Sequence, residues 1–281
     1  MRRRPANSRG FTLVELITVL VLLGISVVGL STLLGNMSGI YLQSAQREQL
    51  LGQSRFVLER LNRELRDAVP NSLRVSNSNS WSCLEFVPFS AVVRYRTIAL
   101  QPDTQTTMDV VSLEPNFALA VSAGQWLLVY PTSPADIYAA SAQPAQKVQL
   151  RNTPQPDDGD NNSATRRLQF SQAFGFGTAS PASRAYLLNS PVSFCALGNE
   201  IRRYEGYGLQ SSQPLPGSGL SNGALMARQI SNDLATRPVF ELAPDALTRN
   251  SLVQIQLELT SEQDSGTVLS YSHLVQVSNV P

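Results

Sequence analysis

The longest apolar run in the chain extends from Phe11 to Leu34, and Glu15 is its only ionisable side chain. As an α-helix rising 1.5 Å per residue, this run would extend about 36 Å, which is enough to cross a bilayer with some tilt. A cleaved secretory signal has a shorter apolar core, of about 7–15 residues, followed by a cleavage site of small residues. No such site closes this run, so the pattern predicts a transmembrane helix that is retained.

A helical pattern continues beyond the apolar run and ends at Pro70. Its apolar positions recur at steps of three and four residues, which places them on one stripe of a helix. The stripe consists of Leu50, Ser54, Val57, Leu58, Leu61, Leu65 and Ala68. The whole pattern predicts one long helix from about Phe11 to Val69, which is apolar on all sides in its first half and packs along one face in its second half.

Short β-like runs separated by Pro, Gly, Asn and Ser follow Asn71. The clearest, Val253–Thr260, alternates apolar and polar residues strictly, and Tyr271–Val277 alternates similarly, which predicts two strands joined by a hairpin turn. Further predicted strands are Cys83–Val87, Val92–Ile98, Gln125–Tyr130, Lys147–Arg151, Arg167–Phe170 and Arg202–Tyr207. The chain is therefore expected to have an α+β fold, with a β-rich head carried by the long N-terminal helix.

Basic charge is concentrated before the apolar run. Four of the 22 basic residues precede this run and leave 18 basic against 21 acidic residues in the rest of the chain; they are Arg2, Arg3, Arg4 and Arg9. Because basic residues beside a membrane segment stay cytoplasmic, the head is expected outside the cytoplasm. The predicted parts are a leader at 1–10, a transmembrane helix at 11–35, an amphipathic helix at 36–69 and a head at 70–281. The balanced charge gives no basic face for nucleic acid.

The chain has two cysteines, Cys83 and Cys195, and both lie in the predicted head. In an oxidising compartment a lone pair of cysteines usually forms a structural disulfide. The alternative is two unrelated buried thiols. The compartment and the count favour the disulfide.

Few residues are candidates for chemistry. His273 is the only histidine, which excludes a site built on several histidines, and its place in an alternating strand favours a structural role. The acidic segment Asp157–Asn162 offers oxygen ligands but lacks the spacing of a calcium loop, so a solvated loop is expected. Trp81 and Trp126 are expected in the core or at its rim, with stacking on a sugar as the alternative. The chain is predicted to have no enzymatic activity, cofactor or metal.

The basic leader ends at Gly10 and is followed by Phe11, Thr-Leu-Val and Glu15, and then by the apolar helix. This combination resembles the N-terminus of type IV prepilins and of type II secretion pseudopilins. The resemblance implies that a membrane prepilin peptidase cleaves after Gly10 and methylates the new amino group of Phe11. It also implies polymerisation through the helix, with an inner-membrane assembly platform, other major and minor pilins or pseudopilins, and membrane lipid as partners.

Glu15 raises an energetic question, because an ionised carboxylate in hydrocarbon costs about 2.5–3.5 kcal/mol at mid-membrane on insertion scales. In a bundle of such subunits, Glu15 of one chain would meet the Phe11 amine of a neighbour. Opposite charges about 4 Å apart attract by roughly 4 kcal/mol at an effective dielectric constant of 20, which offsets much of the burial. The alternative is that Glu15 lies in the headgroup layer of a plain signal anchor.

The amphipathic segment Arg55–Ala68 followed by a large head resembles minor pilins and the J-type minor pseudopilin. Ser193–Tyr207 and the terminal SNVP are similar to the O-type minor prepilin of the mannose-sensitive haemagglutinin (MSHA) pilus system. The resemblance predicts a minor pilin subunit, in the inner membrane before assembly and in the pilus, including its tip, afterwards. The alternatives are a minor pseudopilin and a binding head that uses the helix only as a tether.

Overall fold

A computed structural model describes residues 12–111, 121–140, 145–153, 155–156, 165–243, 251–261 and 268–277. The chain divides into two compact units, Met1–Gln49 and Leu50–Pro281. Helix α1, Leu13–Arg66, contributes residues to both units. The second unit also contains a short helix α2, Pro134–Tyr138, and all the strands. The predicted α+β class, a long N-terminal helix with a β-rich head, is confirmed.

Helix α1 ends at Arg66, three residues before the predicted end. The backbone bonds to a strand-like partner from this point on: Phe89 N donates to Asp67 O at 2.9 Å, and Val69 N donates to Val87 O at 2.8 Å. The predicted apolar stripe is buried. Its buried members are Leu50, Ser54, Val57, Leu61, Leu65 and, beyond the helix, Ala68, while Leu58 is partly buried.

The head contains seventeen described strands. In chain order they are β1 Arg74–Asn77, β2 Trp81–Phe86, β3 Phe89–Tyr95, β4 Gln105–Val111, β5 Trp126–Leu128, β6 Lys147–Gln149, β7 Gln155–Pro156, β8 Thr165–Phe174, β9 Arg184–Leu188, β10 Val192–Leu197, β11 Glu200–Tyr204, β12 Leu215–Pro216, β13 Gly219–Leu220, β14 Ala224–Arg228, β15 Phe240–Leu242, β16 Ser251–Thr260 and β17 Val268–Val277.

Two antiparallel sheets share one core with the buried stripe of α1. The first has the strand order β1-β2-β10-β11-β14, and the second has the order β15-β16-β17. Their shared core includes Leu61 and Leu65 of α1, Phe86 and Phe194 of the first sheet, and Ile255 of the second. The second half of the helix is therefore held by apolar burial against two sheets.

An ion pair between α1 and the first sheet fixes how the helix is oriented on the sheet. The Nε of Arg203 on β11 lies 3.0 Å from both carboxylate oxygens of Glu64 on α1, and Arg60 pairs with the same carboxylate. The side chains of Arg203 and Glu64 are only 11% and 14% exposed. Since a buried charge without its partner is strongly destabilising, this pair favours one rotation of the helix on the sheet.

A further sheet is inserted between two neighbouring strands of the first. Strands β3 to β9 all lie between β2 and β10 in the chain, and they form a sheet of order β6-β5-β9-β3-β4-β8-β7. This sheet curls until β6 meets β8, where Leu150 and Phe170 form an antiparallel bridge. It has its own core, which contains Val93, Leu127 and Phe176 and no residue of α1. We call this part the inserted sheet.

Several local predictions are refined by the structure. The paired strands β16 and β17 confirm the predicted alternating strands, while residues 262–267 of the predicted turn lie outside the described residues. The Pro- and Gly-rich segment 213–223 contains the two-residue parallel strands β12 and β13. Of residues 154–163, which include the segment expected as a solvated loop, the structure describes only Gln155–Pro156, which forms β7.

Gly175, which follows β8, packs directly against the backbone of another segment, so that no side chain fits there. A Cβ built on Gly175 would lie 2.0 Å from the backbone oxygen of Asp103. We therefore expect Gly175→Ala to destabilise the head by about 1–3 kcal/mol, as overpacking does, in thermal unfolding of the full chain. Gly208→Ala is the matched control, because a Cβ there meets nothing within 4 Å. Equal melting temperatures for the two variants would contradict the prediction.

Candidate assembly site

The first part of α1 exposes apolar side chains on every side. Between Leu13 and Leu30 the large apolar side chains are 48–74% exposed. The segment Leu13–Ser31 has a mean hydropathy of 2.6, and by length and composition it is able to cross a membrane. Such a surface is stable only where lipid or other helices cover it.

The hydroxyl groups of this segment are satisfied within the helix. Thr18 Oγ1 donates to the carbonyls of Val14 and Glu15 at 3.1 and 2.9 Å. Ser26 donates to Leu22 O and Ser31 to Val28 O, each at 2.8 Å. Because these hydroxyls need no outside partner, they are compatible with a hydrocarbon environment. Within Leu13–Ser31, the Glu15 carboxylate has no such internal partner.

Glu15 lies in the first turn of α1, where the helix dipole favours negative charge. Its backbone N donates to Thr12 Oγ1 at 3.3 Å, so Thr12 caps the helix. The spacing Thr-x-x-Glu is that of a capping box, of which the described residues show one half, the bond from Glu15 N to the Thr12 hydroxyl. Sequence reasoning missed this local role, although the four-residue motif signals it.

The predicted partner of Glu15, the amino group of Phe11 on a neighbouring chain, lies outside the described residues, which begin at Thr12. Gly10, the predicted cleavage position, and Phe11, the predicted methylated residue, therefore have no described geometry. The structure places Glu15 within one turn of the start of the helix. Its pairing with an amino group of another chain remains a prediction.

The predicted disulfide between Cys83 and Cys195 is confirmed. The two residues face each other in the antiparallel pair β2 and β10, with their Cα atoms 4.1 Å apart. This close spacing is that of a non-hydrogen-bonded cross-strand pair. Both cysteines are buried and pack with Tyr204 and Leu220. The disulfide therefore joins the two strands that flank the inserted sheet in the chain: the chain leaves the first sheet after β2 and returns to it at β10.

The other candidate residues form no common site. His273 Nε2 lies 2.8 Å from Asn62 Nδ2, so the histidine joins β17 to α1. Among the described residues, no group of three or more His, Cys, Asp or Glu side chains is placed to hold a metal ion. The acidic segment 157–162 lies outside the described residues. Trp81 donates from its indole nitrogen to Ser76 Oγ at 3.4 Å, and Trp126 begins β5.

An N-terminal apolar helix with one carboxylate, Glu15, in its first turn, followed by a disulfide-bonded β-rich head, fits a membrane-anchored pilin. Residues 5–31 match the model of the prokaryotic N-terminal methylation motif. The chain thus carries the N-methylation motif of type IV prepilin-like proteins, which indicates a type IV pilin-like or pseudopilin-like protein. Comparisons with curated proteins and with solved structures found no match to the chain.

Proposed function

We propose that this chain is a minor type IV pilin-like structural subunit that joins or initiates a pilus through its N-terminal helix. The observation that carries the proposal is the helical segment Leu13–Ser31, which exposes apolar side chains on every side and whose one acidic group, Glu15, has no side-chain partner among the described residues. Lipid would cover this surface before assembly, and neighbouring helices would cover it in the fibre.

The proposed processing prepares the contact that assembly needs. Cleavage after Gly10 by a prepilin peptidase removes the four leader arginines and creates an amino group on Phe11, which the same enzyme methylates. The Phe11 amine of one subunit then pairs with Glu15 of its neighbour. Two groups that are each unfavourable in hydrocarbon neutralise one another, so Glu15 fixes the axial register of the subunits.

The division of the chain follows from this function. Residues 1–10 are the leader, 11–35 the transmembrane and polymerisation helix, 36–69 the segment that contains the amphipathic part of the helix, which ends at Arg66, and 70–281 the periplasmic head. The head is built around a disulfide and one inserted sheet. The likeness of Ser193–Tyr207 to the O-type minor prepilin supports a place in an MSHA-like pilus, and we assign the chain a structural rather than an enzymatic role.

A minor pseudopilin of a type II secretion system is the second candidate, because the N-terminal motif fits both assemblies. Deletion of the chain distinguishes the two functions. For a pilus subunit, the surface fibres should be lost or shortened, and for a pseudopilin, the export of folded enzymes should stop. A minor subunit should also be much scarcer in isolated fibres than the major one.

Mass spectrometry of the mature chain tests the processing step. We expect a polypeptide that begins at Phe11 and carries one additional methyl group on its amino terminus. Gly10→Val should keep the arginine-rich leader attached, since a bulky residue replaces the small one at the cleavage position. A wild-type chain in the fibre that still has its leader would contradict the proposal, because no free Phe11 amine would then exist.

A further inference from the structure

The inserted sheet contains a cavity in its wall. The chain segments that contain β6 and the end of β8 are joined on either side of β6, by Arg151 N donating to Gln169 O at 2.8 Å and by Gly177 N donating to Ala145 O at 2.7 Å. Between these points the strands separate and leave a cavity of about 300 Å³. This volume is at the lower end of the range for small-molecule sites, about 300–1,000 Å³. We call it the β6–β8 cavity.

One polar group lining this cavity is buried without a partner. Gln146 is only 2% exposed, and its Oε1 has no hydrogen-bond partner within the described parts of the chain. Its backbone is fixed, because Val129 N donates to Gln146 O at 2.9 Å. An unpaired buried acceptor is unfavourable for the fold, and such groups call for a specific explanation. A hydroxyl or N–H group of a ligand in the cavity would satisfy Gln146.

The cavity also contains the single lysine of the chain, Lys147, whereas all the other basic residues are arginines. Its ammonium group donates to the carbonyl of Ile137 and lies 5.2 Å from the ring centroid of Trp126. Burial lowers the pKa of Lys147 to about 8. Asp136 opposes that change in pKa, but its Oδ2 accepts from the backbone N of Thr132 and Ser133. In the described structure, Lys147 has no carboxylate within ion-pair distance.

The remaining lining carries no charge and combines aromatic and polar side chains with three small aliphatic ones, Ala140, Ala145 and Val148. Trp126 presents a ring beside the ammonium group, and Gln149, Ser171 and Gln172 each carry a side chain that both donates and accepts. One cation fits one carboxylate better than a phosphate with its higher charge. Amide and hydroxyl groups beside an aromatic ring suit a ligand with several hydroxyls and one apolar face.

We propose that the β6–β8 cavity binds an acidic saccharide of the hexuronic acid class. The sugar ring lies against Trp126, a ring hydroxyl donates to Gln146 Oε1, and the carboxylate accepts from the ammonium group of Lys147. The inserted sheet has a core separate from that of α1, so this site is independent of the assembly helix. Its presence would give the head a ligand-binding role in addition to the proposed structural one.

Fluorescence of Trp126 tests the proposal directly. The chain has two tryptophans, so Trp81→Phe leaves Trp126 as the only one. The full chain in this background is kept in a detergent without a sugar headgroup and titrated with a galacturonic acid trisaccharide, a galactose trisaccharide and a short glutamate peptide. We expect a saturable change with the acidic saccharide and affinities at least about tenfold weaker for the other two, as for loss of one charge-assisted hydrogen bond.

Two variants assign the contacts. Lys147→Met keeps the apolar stem and should abolish the preference for the acidic over the neutral saccharide. Gln146→Met should weaken binding of both saccharides without lowering the melting temperature, because it removes an acceptor that has no partner. Gln125→Met is the contrast, since the Gln125 amide donates to Ser90 Oγ at 2.6 Å and to Leu188 O at 2.9 Å, so its loss should lower the melting temperature.

The single lysine also allows a second measurement. An amine-reactive reagent should acylate Lys147 near pH 8, and the acidic saccharide should slow this reaction in proportion to the fraction bound. Unchanged Trp126 fluorescence with the acidic saccharide, equal binding of the three ligands, or a melting temperature that falls with Gln146→Met as it does with Gln125→Met would each overturn the proposal. None of these outcomes bears on leader cleavage or assembly.

Discussion

Glu15→Gln should remove this chain from the assembled fibre while its head stays folded. The substitution keeps a side chain of the same size and leaves the bond from the backbone N of residue 15 to Thr12 Oγ1 in place, and glutamine is also found at this position of a capping box. It removes only the charge. An attraction of roughly 4 kcal/mol between Glu15 and a neighbour's Phe11 amine would be lost, and this corresponds to about a thousandfold weaker contact.

The measurement is the amount of this chain in sheared fibres relative to the inner membrane. Thr12→Ala is the matched control: it removes the hydroxyl that accepts from Glu15 N but leaves the carboxylate, so assembly should be largely retained. If Glu15→Gln assembled normally while Thr12→Ala did not, the role of Glu15 would be to start the helix. Normal assembly of both variants would favour a head that uses the helix only as a tether.

The helix was predictable because it combines two recognisable sequence patterns. The apolar run predicted its start within two residues of Leu13, and the spacing of Val57, Leu61 and Leu65 predicted its buried face. The end was predicted three residues late, at Val69 instead of Arg66. Local sequence cannot show that Asp67 and Val69 bond to the segment that follows β2.

The long strand β16 was predictable because one of its faces is buried and the other is partly exposed. The alternation in β16 follows burial of every second residue, whereas β9 and β10 are buried on both faces and show no period of two. The pairing of β2 with β10 across the inserted sheet is a long-range contact without a local signal. The same holds for the Glu64–Arg203 pair, whose members are 139 residues apart in the chain.

The candidate sites also differ in whether the local sequence indicates them. Glu15 stood out because one charge interrupts an apolar run, and Cys83 and Cys195 stood out because they are the only cysteines. The β6–β8 cavity could not be predicted, because Gln146 and Lys147 belong to no motif. Their significance comes from the separation of two strands, β6 and β8, that have fifteen residues between them in the chain, as in many sites grafted onto folds.

Replacing both Cys83 and Cys195 with alanine should lower the free energy of unfolding by roughly 4–5 kcal/mol. The disulfide joins residues separated by 112 positions, and the chain-entropy model gives about 4.7 kcal/mol for a loop of 100 residues. Native domains are stable by only about 5–15 kcal/mol, so the loss would be a large part of the total. Denaturant unfolding of the full chain, in a detergent that keeps the helix soluble, measures it.

Reductant provides the control for this prediction. It should lower the unfolding midpoint of the wild-type chain to that of the double variant, and it should leave the variant unchanged because no other cysteine is present. Equal unfolding midpoints for the wild-type chain and the double variant, each with and without reductant, would contradict the prediction. They would mean that the pairing of β2 with β10 and the packing of Phe86 on Phe194 already hold the base of the inserted sheet. A large loss would mean that closing the loop in the unfolded chain is what lets a head with a long insertion fold before assembly.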